Sequence, residues 1–187
     1  MLPLELSDGE ALDVAALARG HSYFATVQSE SQRDRLLHQL SALQDAAVVA
    51  CDGGLISNLT GWDNLSLPVS FHSLQVMGGL QQRARELFAG CGMADWPAVN
   101  ALLGELPDEM SLYERRLVGF VRAMLVEPEL MVYDTIYDNL ARDDVKRVQR
   151  FDTLFHRYFP FRISVLLSFG EYGELAASGS AGASHLS

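Results

Sequence analysis

The sequence predicts an α/β domain with a mainly parallel sheet covered by helices on both faces. Two observations carry that prediction. Four short runs of apolar, β-favouring residues, Ser22–Val27, Ala46–Ala50, Leu130–Tyr133 and Ile163–Phe169, read as buried strands. They alternate with segments that read as helices: Ser31 to about Leu43, Leu74–Gly90, Ser111–Val126 and Asp143–Tyr158. Strands that alternate with helices and lack a polar face belong to a parallel sheet reached by crossover connections.

Each element has its own local signal. Leu2–Leu6 and Ala11–Ala15 read as short extended pieces separated by the turn residues Ser7-Asp8-Gly9. In the first helix Leu36, Leu37, Leu40 and Leu43 share one face. The Ala46–Ala50 run is broken by Asp52-Gly53-Gly54, and a loop and strand-like stretch then continue to about Phe71. Gly90 and Gly92 mark the end of the Leu74–Gly90 helix. Ser111–Val126 is the clearest helix: Leu117, Val118, Phe120, Val121, Met124 and Leu125 recur at helical spacing, and Ser111 with Glu114 forms a capping box. Pro128 stops it, and Asp134 ends the following strand. Ala176–Ser187 is rich in Gly, Ala and Ser and reads as a disordered tail.

Bulk properties exclude several functions. The 187 residues suffice for one domain with a sizeable core, with room for a smaller subdomain. A formal net charge of -10 argues against nucleic acid and against direct adsorption to anionic lipid, both of which require clustered Lys and Arg. Cys51 and Cys91 are the only cysteines, which fits a reducing cytosol and provides neither a disulfide framework nor a cysteine zinc site. The five histidines are scattered and form no metal-binding pair. No stretch reads as a secretory signal, and no apolar run approaches the roughly 20 residues that span a bilayer. The expectation from these properties is a soluble chain, or one peripheral to a membrane through a partner.

Three segments, in order, resemble the ATP-binding subunits of ABC transporters. Asp52–Val69 (DGGLISNLTGWDNLSLPV) is similar to the stretch after that family's Q-loop, Leu106–Leu125 (LPDEMSLYERRLVGFVRAML) to its signature region, and Glu127–Asp134 (EPELMVYD) to its Walker B strand. The wording of Asn58–Pro68 is closest to cassettes serving lipid-handling permeases of the MCE type. The resemblance spans roughly residues 4–170. It implies a P-loop NTPase-like cassette fold, with residues 1–72 and 127–175 forming the α/β core and 73–126 a helical subdomain bearing the signature helix. Leu43 and Val48 stand nearly adjacent where the family carries a few dozen residues, which implies a reduced antiparallel subdomain.

The same resemblance shows what is missing. A phosphate loop needs glycines so that backbone N–H groups converge on the anion, a Lys for the β/γ-phosphates and a Ser or Thr for Mg²⁺. Here Gln28–Leu36 (QSESQRDRL) has no Gly and no Lys. Ser31 with Asp34 reads as an ordinary helix cap, and Glu30 adds a carboxylate where a triphosphate would lie. Arg33 and Arg35 offset this charge without replacing the cradle. By alignment with the resembled family, Cys51 takes the place of the Q-loop Gln, and Thr135 that of the general-base Glu beside the retained Asp134. Phe169 takes the place of the switch His. Ser111 survives from the signature, with Leu112 and Tyr113 where the glycines would be, and their side chains are expected to crowd a facing nucleotide. These replacements imply a chain that is not an enzyme and binds neither ATP nor Mg²⁺ productively.

The retained part is the surface that, in the resembled family, receives a permease helix. Gly54, Leu55, Trp62 and Phe71 are its candidate docking residues, with Trp62 read in a loop; Leu65, Leu67 and Val69 read more simply as core. The resemblance thus implies a cytoplasmic subunit, peripheral to the inner membrane, with a structural or regulatory role in transport. Its expected partners are a transmembrane permease subunit and a catalytic cassette or a second copy, with no nucleic acid. The alternatives are a weakly active ATPase or a stand-alone regulatory or scaffold domain. Asp143-Asp144 reads as a helix start rather than an acid/base pair, and Asp134 with Asp138 as salt-bridged or solvated rather than a cation site. Ser57, Ser66 and Ser70 lack a nucleophile-elbow context.

Overall fold

A computed structural model describes residues 1–4, 14–43, 45–72 and 79–169. Among the described residues five strands form one sheet: β1 (Leu2–Pro3), β2 (Ser22–Val27), β3 (Ala46–Val49), β4 (Leu130–Asp134) and β5 (Ile163–Phe169). Their order is β1-β2-β5-β4-β3, and every pair is parallel, with Tyr23 opposite Val165, Tyr133 opposite Leu166 and Val49 opposite Tyr133. Among the described residues six α-helices connect them: α1 (Glu30–Ser41), α2 (Gly61–His72), α3 (Leu80–Gly90), α4 (Trp96–Gly104), α5 (Leu112–Leu125) and α6 (Arg142–Tyr158). The parallel, doubly covered α/β sheet expected from the sequence is the fold observed.

Alternation along the strands divides the core in two. Leu130, Val132, Val165, Leu167, Ala25 and Val27 face α1 and enclose its Leu36 and Leu40. Met131, Tyr133, Leu166 and Val49 face the opposite way, into a larger cluster with α3, α4, α5 and α6. There Phe120 of α5 stacks on Phe151 of α6, ring centroids 4.3 Å apart and planes 5° from parallel. β4 and β5 are buried on both sides and have no polar face to show, which is why they read as uninterrupted apolar runs, whereas β2 keeps one half-buried face and β3 is half-buried along most of its length.

Two expectations about local structure change. The stretch through Gly53–Phe71 is not strand-like beyond Thr60: it winds into α2, placing Trp62 on a helix rather than in a loop. Thr60 starts the helix, its hydroxyl donating to Asp63 Oδ2 (2.7 Å) and accepting the Asp63 N–H (3.2 Å). Asn64, fully buried, accepts the Ile56 N–H (2.8 Å) and donates to the carbonyls of Ile56, Leu59 and Thr60 at 3.0–3.1 Å. That amide closes the loop onto the helix. Near the start of the chain, Val14–Ala16 forms a 3-10 turn where an extended piece was expected. The rest of that stretch, Glu5–Leu6, the beginning of the Leu74–Gly90 helix and the Ala176–Ser187 tail lie outside the described residues.

Candidate functional site

The carboxyl ends of β2, β3, β4 and β5 bring Val27, Val49, Asp134 and Phe169 to one edge of the sheet. Only Gln28 and Ser29 separate β2 from α1. Ser29, with extended φ −156° and ψ 158°, is the N-cap, and its hydroxyl accepts the Gln32 N–H at 3.2 Å. Gln32 Oε1 returns to accept the Gln28 N–H at 2.7 Å. The first bond occupies one of the N–H groups that a helix N-terminus would otherwise offer to an anion, and the second ties the preceding turn to the same helix. The cap expected at Ser31 and Asp34 is therefore corrected: the helix starts at Glu30, so the hydroxyl that meets the free N–H groups belongs to Ser29.

Asp34 and Glu30 turn instead to Arg33. Its Nη1 donates to Glu30 Oε2 at 3.2 Å and to Asp34 Oδ1 at 3.1 Å. The rest of the guanidinium forks onto Asp134, Nε to Oδ1 and Nη2 to Oδ2, both at 2.6 Å. Cys51 Sγ lies 3.7 Å from the same Nη2. The Asp134 side chain is 3% exposed and that of Arg33 17%, so the fork is largely out of water. The bonds to Asp134 drive the Arg33 pKa further up, against the opposing effect of burial. Both Asp134 oxygens thus face a cationic side chain. Among the described residues no group of His, Cys, Asp and Glu is arranged to hold a metal ion.

Thr135 follows at φ +45°, the left-handed region that a β-branched residue rarely adopts. Its N–H donates to Leu167 O (3.0 Å) and its carbonyl accepts the Asp138 N–H (3.1 Å), which hold the turn in place. Burial pushes the Asp138 carboxyl above its usual range, opposed by Arg116 and reinforced by Asp134. Phe169, at the end of β5, is half-buried against the α1 side of the sheet.

A second set of contacts joins the turn after β3 to α5. Arg116, 1% exposed, donates from Nε to the Cys51 carbonyl (2.5 Å) and from Nη1 to the Ile136 carbonyl (2.8 Å). It thereby ties the turns after β3 and β4 to one helix. Arg122 Nη2 donates to the Gly54 carbonyl at 2.8 Å. Burial lowers the pKa of both arginines. Gly53 is left-handed (φ +92°) and lies so close to α5 that a Cβ on Gly119 would sit 2.2 Å from the Gly53 carbonyl oxygen.

The remaining expected positions separate from this cluster. Ser111 caps α5 in the box read from the sequence, its N–H donating to Glu114 Oε2 (2.8 Å) and its hydroxyl accepting the Glu114 N–H (3.3 Å). Tyr113 is not an outward obstacle to a facing nucleotide: the residue is 6% exposed, with the Arg147 guanidinium over its ring at 5.4 Å. Among the docking candidates, Gly54 is exposed and Leu55 half-buried against the core. Trp62 is half-buried, edge-on to Trp96 with centroids 5.9 Å apart, and its Nε1 donates to Asn100 Oδ1 at 3.2 Å. The Phe71 backbone belongs to α2, and its side chain lies outside the described residues. Ile56 and Leu106 are exposed at 41% and 40%.

This architecture occurs among solved structures. The chain is similar to cbiO1 from Clostridium perfringens, part of the ABC transporter complex cbiONQ, with a TM-score of 0.65 over 81% of this chain and 68% of that one. The fold is that of an ATP-binding cassette. Sequence identity is 11%, so the likeness speaks for the fold alone. No protein-family model and no curated protein matches the sequence. The expectation of a chain that is not an enzyme is corrected by this likeness, because the matched structure is an ABC ATPase subunit and such subunits form an enzyme family.

The feature that sequence reasoning missed is Arg33. Read along the chain, Asp134 stands out and Arg33 is only a charge offset, yet they form one unit across 101 positions of chain. The available signal was an Arg four residues after the β2–α1 turn, on the helix that faces Asp134 across the sheet edge.

Proposed function

We propose that the chain is a cassette-type subunit of an ABC-type transport assembly, with a degenerate phosphate loop and a structural or regulatory role through docking. The observation that carries this reading is the Arg33–Asp134 fork, which fills with protein charge the place where the resembled family holds Mg²⁺ and phosphate. The two-residue turn before α1 supports it, since so short a connection has no length for a phosphate cradle. The partner is a membrane-embedded permease, a sister ATP-binding subunit, or both, reached through the side bearing Gly54, Leu55, Trp62 and the exposed Ile56. The absence of any helix long and apolar enough to cross a membrane, among the described residues, is consistent with attachment through a partner. The Asn58–Pro68 wording directs the search for that permease first to lipid-handling systems of the MCE type.

The test is recovery of the tagged full chain from native membranes. A permease or sister cassette should co-purify with the wild-type chain and be reduced at least about tenfold by Ile56→Asp, a charge placed at an interface core. Recovery of neither partner would overturn the docking role. A second reading, ATP turnover, rests on Asp134 standing at the end of β4 in an ATPase fold. It requires Arg33 to release Asp134, and its signature is hydrolysis that Asp134→Asn abolishes.

A further inference from the structure

Beneath the carboxyl half of α6, four polar side chains from three elements meet. Ser22 opens β2, Ser164 lies in β5, and Asp152 and His156 stand one turn apart on α6. Ser22 Oγ lies 2.6 Å from Asp152 Oδ2, and Ser164 Oγ 2.5 Å from Asp152 Oδ1. His156 Nε2 is 2.9 Å from Ser22 Oγ and 3.1 Å from Ser164 Oγ. Ser164 is fully buried, and the side chains of Asp152 and His156 are 16% and 19% exposed.

The distances assign the protons. Oxygens this close to a carboxylate need the hydroxyl hydrogen between them, so both serines donate to Asp152. What faces His156 is then serine lone pairs, and Nε2 must carry the hydrogen that both share. The neutral ring keeps a bare Nδ1, which is buried without a hydrogen-bond partner. This arrangement also excludes a serine nucleophile, because no lone pair of His156 faces a serine proton.

We propose that this cluster is an acid-sensitive staple, which holds α6 on the sheet while His156 is neutral and loosens when Nδ1 takes a second proton. That proton would be a buried N–H with no acceptor. The charged and titratable groups facing the ring are Asp152 on α6, which favours the cation, and His21 before β2 and the Met1 ammonium, which oppose it. Burial opposes it most, and the net effect is a His156 pKa below its ordinary value. An unfolded chain therefore takes up this proton first as pH falls. The staple's contribution is complete above about pH 6.5 and declines as pH drops below it. The inference concerns a site remote from the Arg33–Asp134 fork and stands independently of the transport reading.

The test compares thermal unfolding of the full chain and its His156→Gln variant from pH 7.5 to 5.0, alongside ¹⁵N spectra of the wild-type imidazoles. The Gln amide nitrogen reaches the place of Nε2 and donates there without titrating. Wild type is expected to lose about 3 °C more on acidification than the variant for each tenfold depression of the His156 proton affinity. The His156 ring should show the Nε2–H form and titrate below an ordinary histidine. An equal acid loss in both proteins, an Nδ1–H ring, or titration above the ordinary value would overturn the proposal. Should the variant fail to fold, the wild-type ring spectrum decides alone.

Discussion

Two arginines stand at the same edge of the sheet and are held in different ways. Arg33 is bound by carboxylates, above all the fork onto Asp134, whereas Arg116 is bound by the carbonyls of Cys51 and Ile136. A charge pair between side chains can be separated without moving the backbone. A guanidinium spanning two carbonyls beneath a glycine contact has no such alternative, since its acceptors are the turns themselves. The α1 side is therefore a closure made by a pair of side chains, and the α5 side a frame made by bonds to the backbone.

The largest effect that separates the two concerns Arg33. Arg33→Ala leaves Asp134 buried and unpaired and should lower stability by about 3 kcal/mol, read from denaturant unfolding. Adding Asp134→Asn should restore most of that loss, and millimolar Mg²⁺ should raise the melting temperature of Arg33→Ala but not of wild type. A loss unaffected by the second substitution would mean that the fork is incidental. On the other side, Gly119→Ala drives a methyl into the Gly53 carbonyl and should cost about 2 kcal/mol, without any rescue by Mg²⁺. Rescue there would break the contrast between closure and frame. Smaller and opposite in sign, Thr135→Gly should relieve the left-handed strain beside Asp134 and stabilise by about 1 kcal/mol, since both bonds of that residue's backbone are kept. A destabilised Thr135→Gly would show that the turn depends on the threonine side chain.

What the sequence reveals follows from the range of each interaction. The strands β4 and β5 are legible because both of their faces are buried and they appear as apolar runs, and the half-buried β2 and β3 because their residues are short β-favouring or apolar runs between turn signals. The α5 cap was legible because Ser111 and Glu114 bond across three residues. By contrast, α2 was hidden: Leu65, Leu67 and Val69 alternate as a strand would, and Pro68 discourages a helix. The Thr60–Asp63 cap and the buried amide of Asn64 decide for the helix, and neither outweighs that alternation when read along the chain. The helix α4 carried no expectation, being short and opened by Trp96-Pro97. For the candidate site, Asp134, Thr135 and Cys51 could be named from position, yet their chemistry depends on Arg33 and Arg116. Those partners arrive only when the parallel crossovers bring α1 and α5 against the strand ends. The cap at Ser29 rather than Ser31 reflects the ordinary uncertainty of a helix start, but here it decides which donors remain free.

The closure is tested most directly by calorimetric titration of Mg²⁺-ATP onto the purified full chain. The expectation is no saturable uptake at millimolar ligand by wild type, with Asp134 still paired to Arg33. Stoichiometric binding by wild type at micromolar concentration, weakened by Asp134→Asn, would contradict it and show that the fork yields to nucleotide.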